Sequence, residues 1–155
     1  MLRYLQVLKD KPIQILPALE DLTRGAPVGK DYVDGGVFLA GNDESILATY
    51  LVDNAPNYDG INAVIAPTDA DFEEIKENAL CLLVTTFEGE RYATTEVVVG
   101  RELNVGDPLT VANGKFVAAG NGSTYAWVYG GTYADPTGLP MYIIERVPAT
   151  VVPGE

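Results

Sequence analysis

The spacing of short apolar runs is the feature that most constrains this fold. From residue 35 onward, apolar runs are separated by Gly, Asn, Asp and Pro at intervals of about ten residues, a pattern typical of chains with many short β-strands. The chain is therefore predicted to be mainly β, as a small antiparallel β-barrel or β-sandwich. In chain order, the predicted strands span residues 37–40, 46–52, 79–86, 91–99, 109–111, 115–119, 125–129 and 141–147.

Two turns between these strands have a recognisable chemistry. Asn113 and Gly114 both tolerate positive φ, which the two-residue turn of a β-hairpin requires, so a hairpin is predicted over residues 109–119. The Glu-Gly-Glu sequence at residues 88–90 fits a second short hairpin loop, between the third and fourth predicted strands.

One segment departs from the β pattern. Residues 69–78 are predicted to form a short α-helix, because Thr68 can cap it and acidic residues occupy its first turn, at the positive end of the helix dipole. Phe72, Ile75 and Ala79 would share one face of this helix and pack on the sheet. The helix would lead directly into the next strand.

The apolar run at residues 80–84 has the composition of a central strand buried on both faces. Cys81, the one cysteine of the chain, lies within this run, so an intramolecular disulfide is impossible. Free cysteine is among the most buried residue types, and Cys81 is expected to act as a small buried hydrophobe.

The first thirty residues differ from the rest of the chain. Pro12, Pro17 and Pro27 each remove a backbone donor and favour extended geometry in the residue before them, so an extended N-terminal arm is predicted. The prolines near the other end of the chain predict an edge strand or a loose end there. The predicted division is an arm at residues 1–30, a single β domain at 31–147 and a C-terminal tail at 148–155.

The charge balance argues against a nucleic-acid surface. The formal net charge is −12, and the ten basic residues are scattered along the chain, whereas phosphate neutralisation needs clustered Lys and Arg. No stretch approaches the roughly eighteen consecutive apolar residues of a membrane helix, and the first residues lack the pattern of a signal peptide. We therefore expect neither nucleic acid nor a membrane as a partner.

The absence of histidine removes most catalytic interpretations. The chain has no imidazole to act as a general base near neutral pH, to activate Ser45, Ser123 or Cys81, or to bind a transition metal. Neither serine lies in a Gly-x-Ser-x-Gly turn. We expect a protein that is not an enzyme and that carries no cofactor and no metal.

Two acid-based alternatives stay open. A suitably spaced pair among the 22 acidic residues could cleave a glycosidic bond, although acids more commonly solvate a β surface. The loop at residues 53–60 has oxygen ligands at alternating positions and could hold Ca²⁺, but it lacks the terminal Glu of an EF-hand loop. An Asx-rich turn is the commoner structure for such a sequence.

Aromatic residues alternate along one predicted strand. Tyr125, Trp127 and Tyr129 would share one face, and such a stripe more often forms core or a subunit interface than a platform for sugar rings. A carbohydrate-binding β-sandwich that presents these rings is the main alternative function. Exposed, coplanar rings would favour it, and buried rings would count against it.

Several stretches of the chain resemble tailed-bacteriophage head decoration (cement) proteins and related capsid-stabilising proteins. They are residues 16–25, 60–63, 72–76, 89–96 and 105–116, and the sharpest is the Gly-Asp-Pro-Leu-x-Val-x-x-Gly-Lys hairpin at residues 106–115. The resemblance implies a small β-barrel or β-sandwich on the outer capsid surface. Such proteins are commonly homotrimers at local threefold positions, with extended arms that cross capsomer boundaries.

The function implied by this resemblance is structural. The chain would bridge neighbouring major capsid protein subunits on the outer surface of a virion assembled in the bacterial host cytoplasm. A fibre-base or tail component is the alternative within the same setting. The capsid or subunit contacts expected are Leu2, Tyr4, Leu5, Ile13, Ile15, Leu16, Leu19, Tyr125, Trp127 and Tyr129.

Overall fold

A computed structural model describes residues 1–41, 50–55, 73–100 and 102–154. In these ranges the regular secondary structure is all β, which confirms the predicted mainly β class. Nowhere in them does an α-helix long and apolar enough to span a bilayer occur. The strands are β1 (Leu2–Gln6), β2 (Gln14–Pro17), β3 (Leu22–Thr23), β4 (Pro27–Lys30), β5 (Val37–Leu39), β6 (Tyr50–Asn54), β7 (Glu74–Ile75), β8 (Leu80–Thr85), β9 (Arg91–Thr94), β10 (Pro108–Ala112), β11 (Lys115–Ala118), β12 (Thr124–Ala134) and β13 (Pro140–Val151).

The strands form three antiparallel sheets. Sheet A has six strands in the order β1-β9-β13-β12-β10-β11, and sheet B has five in the order β2-β8-β6-β4-β5. Sheet C is the short pair of β3 and β7. The sheets are not closed into a barrel, so the barrel alternative is wrong for the described residues.

The main core lies between sheets A and B. Tyr92, Trp127 and Ile144 enter it from sheet A, and Leu51 and Val84 enter it from sheet B. All five side chains are almost completely buried. Face-to-face burial of this kind is the main stabilising contribution in a two-sheet packing, since each sheet would otherwise expose an apolar face.

Aromatic rings are at the centre of this core. The Trp127 ring meets the Phe116 ring at a centroid distance of 5.2 Å and the Tyr92 ring at 6.3 Å, both edge to face. This geometry places the positive edge of one ring against the negative face of another, and it adds to the stabilisation from burial.

A second core covers the other face of sheet B. Val52, Cys81 and Leu83 of sheet B pack there with Leu22 and Ile75 of sheet C. Side chains of β6 and β8 therefore alternate between the two cores, as the period of a β-strand requires. This packing confirms the predicted strand and its burial on both faces from Cys81 to Val84, whereas Leu80 at its start is 61% exposed.

Cys81 is buried in this second core, as predicted. Its Sγ donates a hydrogen bond to the backbone oxygen of Leu16 at 3.2 Å. Burial raises the pKa of the Cys81 thiol to about 11, because a thiolate would lose its hydration there. The thiol therefore stays protonated and packs as an apolar group.

One of the two predicted hairpins is confirmed and the other is wrong. Strands β10 and β11 pair across Asn113 and Gly114, which have φ values of +50° and +70°. In contrast, residues 88–90 connect β8 in sheet B to β9 in sheet A. Their backbone partner is Arg146 of β13, which accepts from Gly89 N at 2.8 Å and donates to Glu90 O at 2.9 Å. A short turn sequence does not determine which strands it joins.

The predicted helix at residues 69–78 is wrong where the structure describes it, at 73–78, and its first four positions lie outside the described residues. Glu74 and Ile75 form β7 instead, and Ile75 pairs with Leu22 of β3. Asn78 has a φ of +69°, which a right-handed helix does not allow. Pairing with β3 buries Ile75 more fully than a narrow helical stripe would, so tertiary contact overrides the local helix signals.

Residues 1–30 are extended and contribute strands to all three sheets. β1 pairs with β9 in sheet A, β2 with β8 in sheet B, and β3 with β7 in sheet C. β4 lies between β5 and β6. Leu2 is buried in the main core. This segment is thus part of the β architecture, and β2 and β4 respectively end and begin at a proline, where a missing donor is tolerated.

The remaining predicted strands are present, but β9 ends at Thr94 where the prediction extended to residue 99, and β12 continues to Ala134 where the prediction ended at residue 129. Residues 46–49 of the second predicted strand lie outside the described residues, and β6 begins at Tyr50. At the other end of the chain, β13 continues through residues 148–151, where Thr150 pairs with Tyr125 of β12. The predicted C-terminal tail therefore starts within a strand.

Removal of the Trp127 side chain tests the central role of the aromatic core. We expect Trp127→Ala to lower the free energy of unfolding by about 3–5 kcal/mol, because it leaves a cavity between the two sheets. Urea denaturation followed by far-ultraviolet circular dichroism measures this change. Val105→Ala is the control, since Val105 is 75% exposed and should change stability by less than about 0.5 kcal/mol. Equal effects of the two substitutions would contradict the assignment.

Candidate contact surface

A connecting segment crosses from one sheet to the other at their edges. Residues 7–13, here called the strap, join β1, an edge strand of sheet A, to β2, an edge strand of sheet B. Asp10 has a φ of +60°, which turns the chain within the strap. The strap thus lies at the open side of the two-sheet packing, where the main core would otherwise meet solvent.

Lys11 fastens the strap to the core. Its Nζ donates to the backbone oxygen of Thr85 at 2.9 Å, to Glu90 Oε1 at 2.8 Å and to Tyr92 Oη at 2.8 Å. It also lies 5.5 Å from the Tyr92 ring centroid and 5.8 Å from that of Phe87. These three hydrogen bonds use all the donors of the ammonium group, so the charge is fully satisfied although its side chain is only 15% exposed.

Glu90 is the matching acceptor and is only 2% exposed. Besides Lys11, its carboxylate accepts hydrogen bonds from Leu8 N at 2.7 Å, Phe87 N at 2.7 Å and Tyr92 Oη at 3.1 Å. Burial alone would raise the pKa of Glu90, but the hydrogen bonds from Lys11, Leu8 and Phe87 outweigh it and hold the pKa below its ordinary value. The carboxylate therefore stays ionised and binds the strap at two points.

A second polar contact orients Tyr4 beside the strap. Tyr4 Oη donates to Asp53 Oδ2 at 2.7 Å, and Arg24 forms an ion pair with the other oxygen of the same carboxylate. The Tyr4 ring packs edge to face on Tyr92 at 5.7 Å. Partial burial and the adjacent Asp53 carboxylate raise the pKa of the Tyr4 phenol, so it remains a hydrogen-bond donor.

The outer side of this scaffold is apolar. A groove of about 120 Å³ is lined by Tyr4, Ile13 and Leu82 together with the stem of Lys11. Ile13 is 71% exposed. Ile15, two residues further along the chain in β2, pairs with Leu82 of β8. Exposed apolar side chains that cluster in this way mark interaction sites more often than single exposed ones do. We use the name strap surface for the exposed apolar side chains of the strap and of the adjoining ends of β1 and β2; they are Tyr4, Val7, Leu8, Ile13 and Ile15, of which Tyr4 and Ile13 line the groove.

The structure separates the predicted contact residues into three groups. Tyr4, Ile13 and Ile15 lie on the strap surface. Four others are half-buried: Leu5, Leu16, Leu19 and Tyr125. Leu2, Trp127 and Tyr129 are buried in the main core and cannot reach a partner without its rearrangement, so we exclude them from the contact set.

The burial of Trp127 and Tyr129 also bears on the carbohydrate alternative. A sugar platform needs exposed ring faces, whereas these two rings pack against other core side chains. Tyr129 lies 6.4 Å from the ring of Tyr142, at a tilt of 43°. Trp127 and Tyr129 are therefore core, as the more common interpretation of the stripe predicts, whereas Tyr125 is half-buried.

The sequence analysis missed the groups that organise this surface. Lys11 and Glu90 are 79 positions apart, and no local pattern pairs them. Val7 and Leu8 precede the charged sequence Lys-Asp-Lys and a proline. Apolar residues beside so many charged ones indicate an exposed connecting segment. The sequence could therefore have predicted that Val7 and Leu8 are exposed.

The alternatives based on acidic residues gain no support from the described geometry. Within the described ranges, no group of three or more His, Cys, Asp or Glu is arranged to hold a metal ion. Residues 56–60 of the candidate Ca²⁺ loop lie outside those ranges. Asp53, its first acid, is engaged by Tyr4 and Arg24.

The Lys11–Glu90 ion pair should make stability depend on pH. The lowered pKa of Glu90 means that its contribution is fully present above the unfolded value of about 4.3 and is lost as the pH falls through the folded value. We expect Glu90→Gln to lower the free energy of unfolding at pH 7 by about 1–3 kcal/mol, because it leaves Lys11 without its counter-charge. The difference in the free energy of unfolding between Glu90→Gln and the parent protein should become smaller below about pH 4.3, because Glu90 of the parent protein becomes protonated as the pH falls.

Urea denaturation at pH 7 and at acidic pH measures both effects. Glu74→Gln is the matched control, because Glu74 pairs with Lys76 on the surface, where both side chains are exposed, and should change stability by less than about 0.5 kcal/mol. A Glu90→Gln protein as stable as the parent at pH 7 would contradict the proposed anchoring.

No family model, curated protein or solved structure matches this chain. The candidate surface is therefore defined by its geometry and by the residues that hold it in place.

Proposed function

We propose that this chain is a structural virion protein without enzymatic activity. It binds the outer surface of a tailed-phage capsid and stabilises the capsid by bridging neighbouring major capsid protein subunits. It does so as a homotrimer, and it joins the particle in the bacterial host cytoplasm. Residues 106–115 and the other stretches that resemble decoration proteins are the sequence support for this proposal.

The observation that carries the proposal is the anchored strap surface. Its apolar side chains are exposed, yet the backbone that presents them is held by Lys11 and Glu90. Full burial of a Leu or Ile side chain contributes about 1.5–3 kcal/mol. Because the strap is already ordered, little conformational entropy is lost on binding, and more of this contribution appears as affinity.

The acidic character of the chain is consistent with such a role. A net charge of −12 keeps free copies soluble and favours docking on a basic or polar face. Within the strap, Lys9 and Asp10 are exposed beside the apolar side chains, and Lys11 is paired with Glu90. Charge thus orients the encounter, and apolar contact at the strap surface supplies most of the affinity.

Stabilisation of the capsid would follow from mass action. A protein that binds the closed lattice but not the free subunits shifts the equilibrium toward the lattice. Three linked copies would convert a modest affinity at each site into a much higher overall affinity. Neither effect needs a reactive group, so a chain without histidine can perform this function.

Binding to heads tests the proposal directly. Heads of the encoding phage, assembled without this protein, are mixed with the purified chain, and co-sedimentation gives the dissociation constant. We expect Leu8→Ser combined with Ile13→Ser to weaken binding about 100-fold, since each loss of about 1.4 kcal/mol is a factor of ten. Val105→Ser, which changes an exposed side chain away from the strap, should leave the constant unchanged.

Two results would overturn the proposal. One is the absence of the chain from purified mature virions, measured by mass spectrometry. The other is failure of the parent protein to bind heads at any concentration tested. Circular dichroism of the double variant should match that of the parent, because both altered side chains are exposed.

A further inference from the structure

The hairpin of β4 and β5 ends in a tightly closed turn. Asp31 N donates to Gly36 O at 2.8 Å, and Gly35 N donates to Asp31 O at 3.0 Å. Gly35 has a φ of +72°, which closes the turn without strain. The two backbone hydrogen bonds continue the pairing of the strands, so the hairpin is ordered up to its tip.

The Asp31 side chain holds the tip from within. Its Oδ1 accepts hydrogen bonds from Val33 N at 2.7 Å and Asp34 N at 3.0 Å, which is the geometry of an Asx turn. These two bonds lower the pKa of Asp31. The carboxylate is thus charged near neutral pH, and the backbone of residues 31–34 is held in one conformation.

This ordered tip displays two apolar side chains. Tyr32 is 78% exposed and Val33 is 92% exposed. Neither belongs to a described core, so neither contributes to the apolar packing of the fold. A large apolar side chain on a rigid protrusion is the arrangement by which proteins insert an anchor into a partner's pocket.

The base of the hairpin tip contacts the beginning of β2. Lys30, the last residue of β4, donates from Nζ to Gln14 Oε1 at 2.9 Å, and the same Nζ lies 5.1 Å from the Tyr32 ring centroid. Gln14 lies between Ile13 and Ile15 in the sequence. Lys30 therefore joins the base of the tip to Gln14 of β2, whose side chain lies on the second-core face of sheet B, as that of its pairing partner Leu83 does, and not on the face of Ile15.

We propose that Tyr32 and Val33 are the anchor of the capsid contact and insert into an apolar pocket of the capsid protein whose rim carries Lys or Arg. This inference rests on the proposed function. Asp31 and Asp34 flank the two apolar side chains and outnumber Lys30, whose Nζ lies against the Tyr32 ring, so the tip is net negative and a basic rim would complement it. A second copy of this chain fits less well, since it would bring further negative charge to the contact.

Two variants separate the anchor from the strap surface. The first combines Tyr32→Ser with Val33→Thr, and the second is the Leu8→Ser and Ile13→Ser protein. Binding to heads that lack the chain is measured by co-sedimentation, and self-association is measured by sedimentation equilibrium. We expect the hairpin variant to weaken head binding about tenfold or more, with no change in thermal unfolding or in oligomeric state.

A reversed charge tests the expected rim. Asp34→Lys should weaken binding and should do so most at low salt, where charges are least screened. Glu77→Lys is its control, because Glu77 is also an exposed acid but lies in the turn after β7. Equal effects of the two reversals would argue against a basic rim.

The outcomes of these measurements distinguish failure of the inference from failure of the proposed function. If the strap variant loses binding and the hairpin variant binds like the parent, the inference is wrong and the proposed function stands. If the hairpin variant changes the oligomeric state instead of head binding, the tip contacts a second copy and the inference is also wrong. If the parent protein does not bind heads, the proposed function fails, and the inference fails with it.

Discussion

The packing of sheet A on sheet B is the constraint on which the rest of this structure depends. Trp127, Phe116 and Tyr92 form its centre and meet edge to face. The sheets are not closed into a barrel, so the core between them would be open where β1 and β2 lie at the sheet edges. The strap connects these two edge strands and so crosses that open side.

This crossing explains why a lysine enters an apolar interior. Tyr92 belongs to the aromatic core, and its hydroxyl also accepts a hydrogen bond from Lys11. Glu90, two residues earlier on the turn between the sheets, balances the charge and binds the strap backbone. The inner side of the strap is therefore polar and fully paired, and its apolar side chains are left to face outward. The strap therefore both contacts the core through Lys11 and presents its apolar side chains at the surface.

The same logic extends to the hairpin of β4 and β5. Its tip makes no contribution to a described core, yet hydrogen bonds of Asp31 and Gly35 hold its backbone in one conformation. Ordering an exposed apolar tip costs conformational entropy, and no core packing of the tip within this chain offsets that cost. The proposed recovery is in binding, where a preordered tip loses little further conformational entropy when it meets a partner.

The sequence by itself determined the mainly β class, most strand positions, the hairpin at Asn113 and Gly114, and the burial of Cys81. These follow from residue spacing and backbone preference, which act over a few neighbouring positions. Only the tertiary structure decided that residues 88–90 cross between sheets, that Ile75 pairs with Leu22, and that Trp127 is core while Ile13 is exposed. Those outcomes depend on contacts between distant residues, such as Lys11 with Glu90, whose energy no local pattern contains.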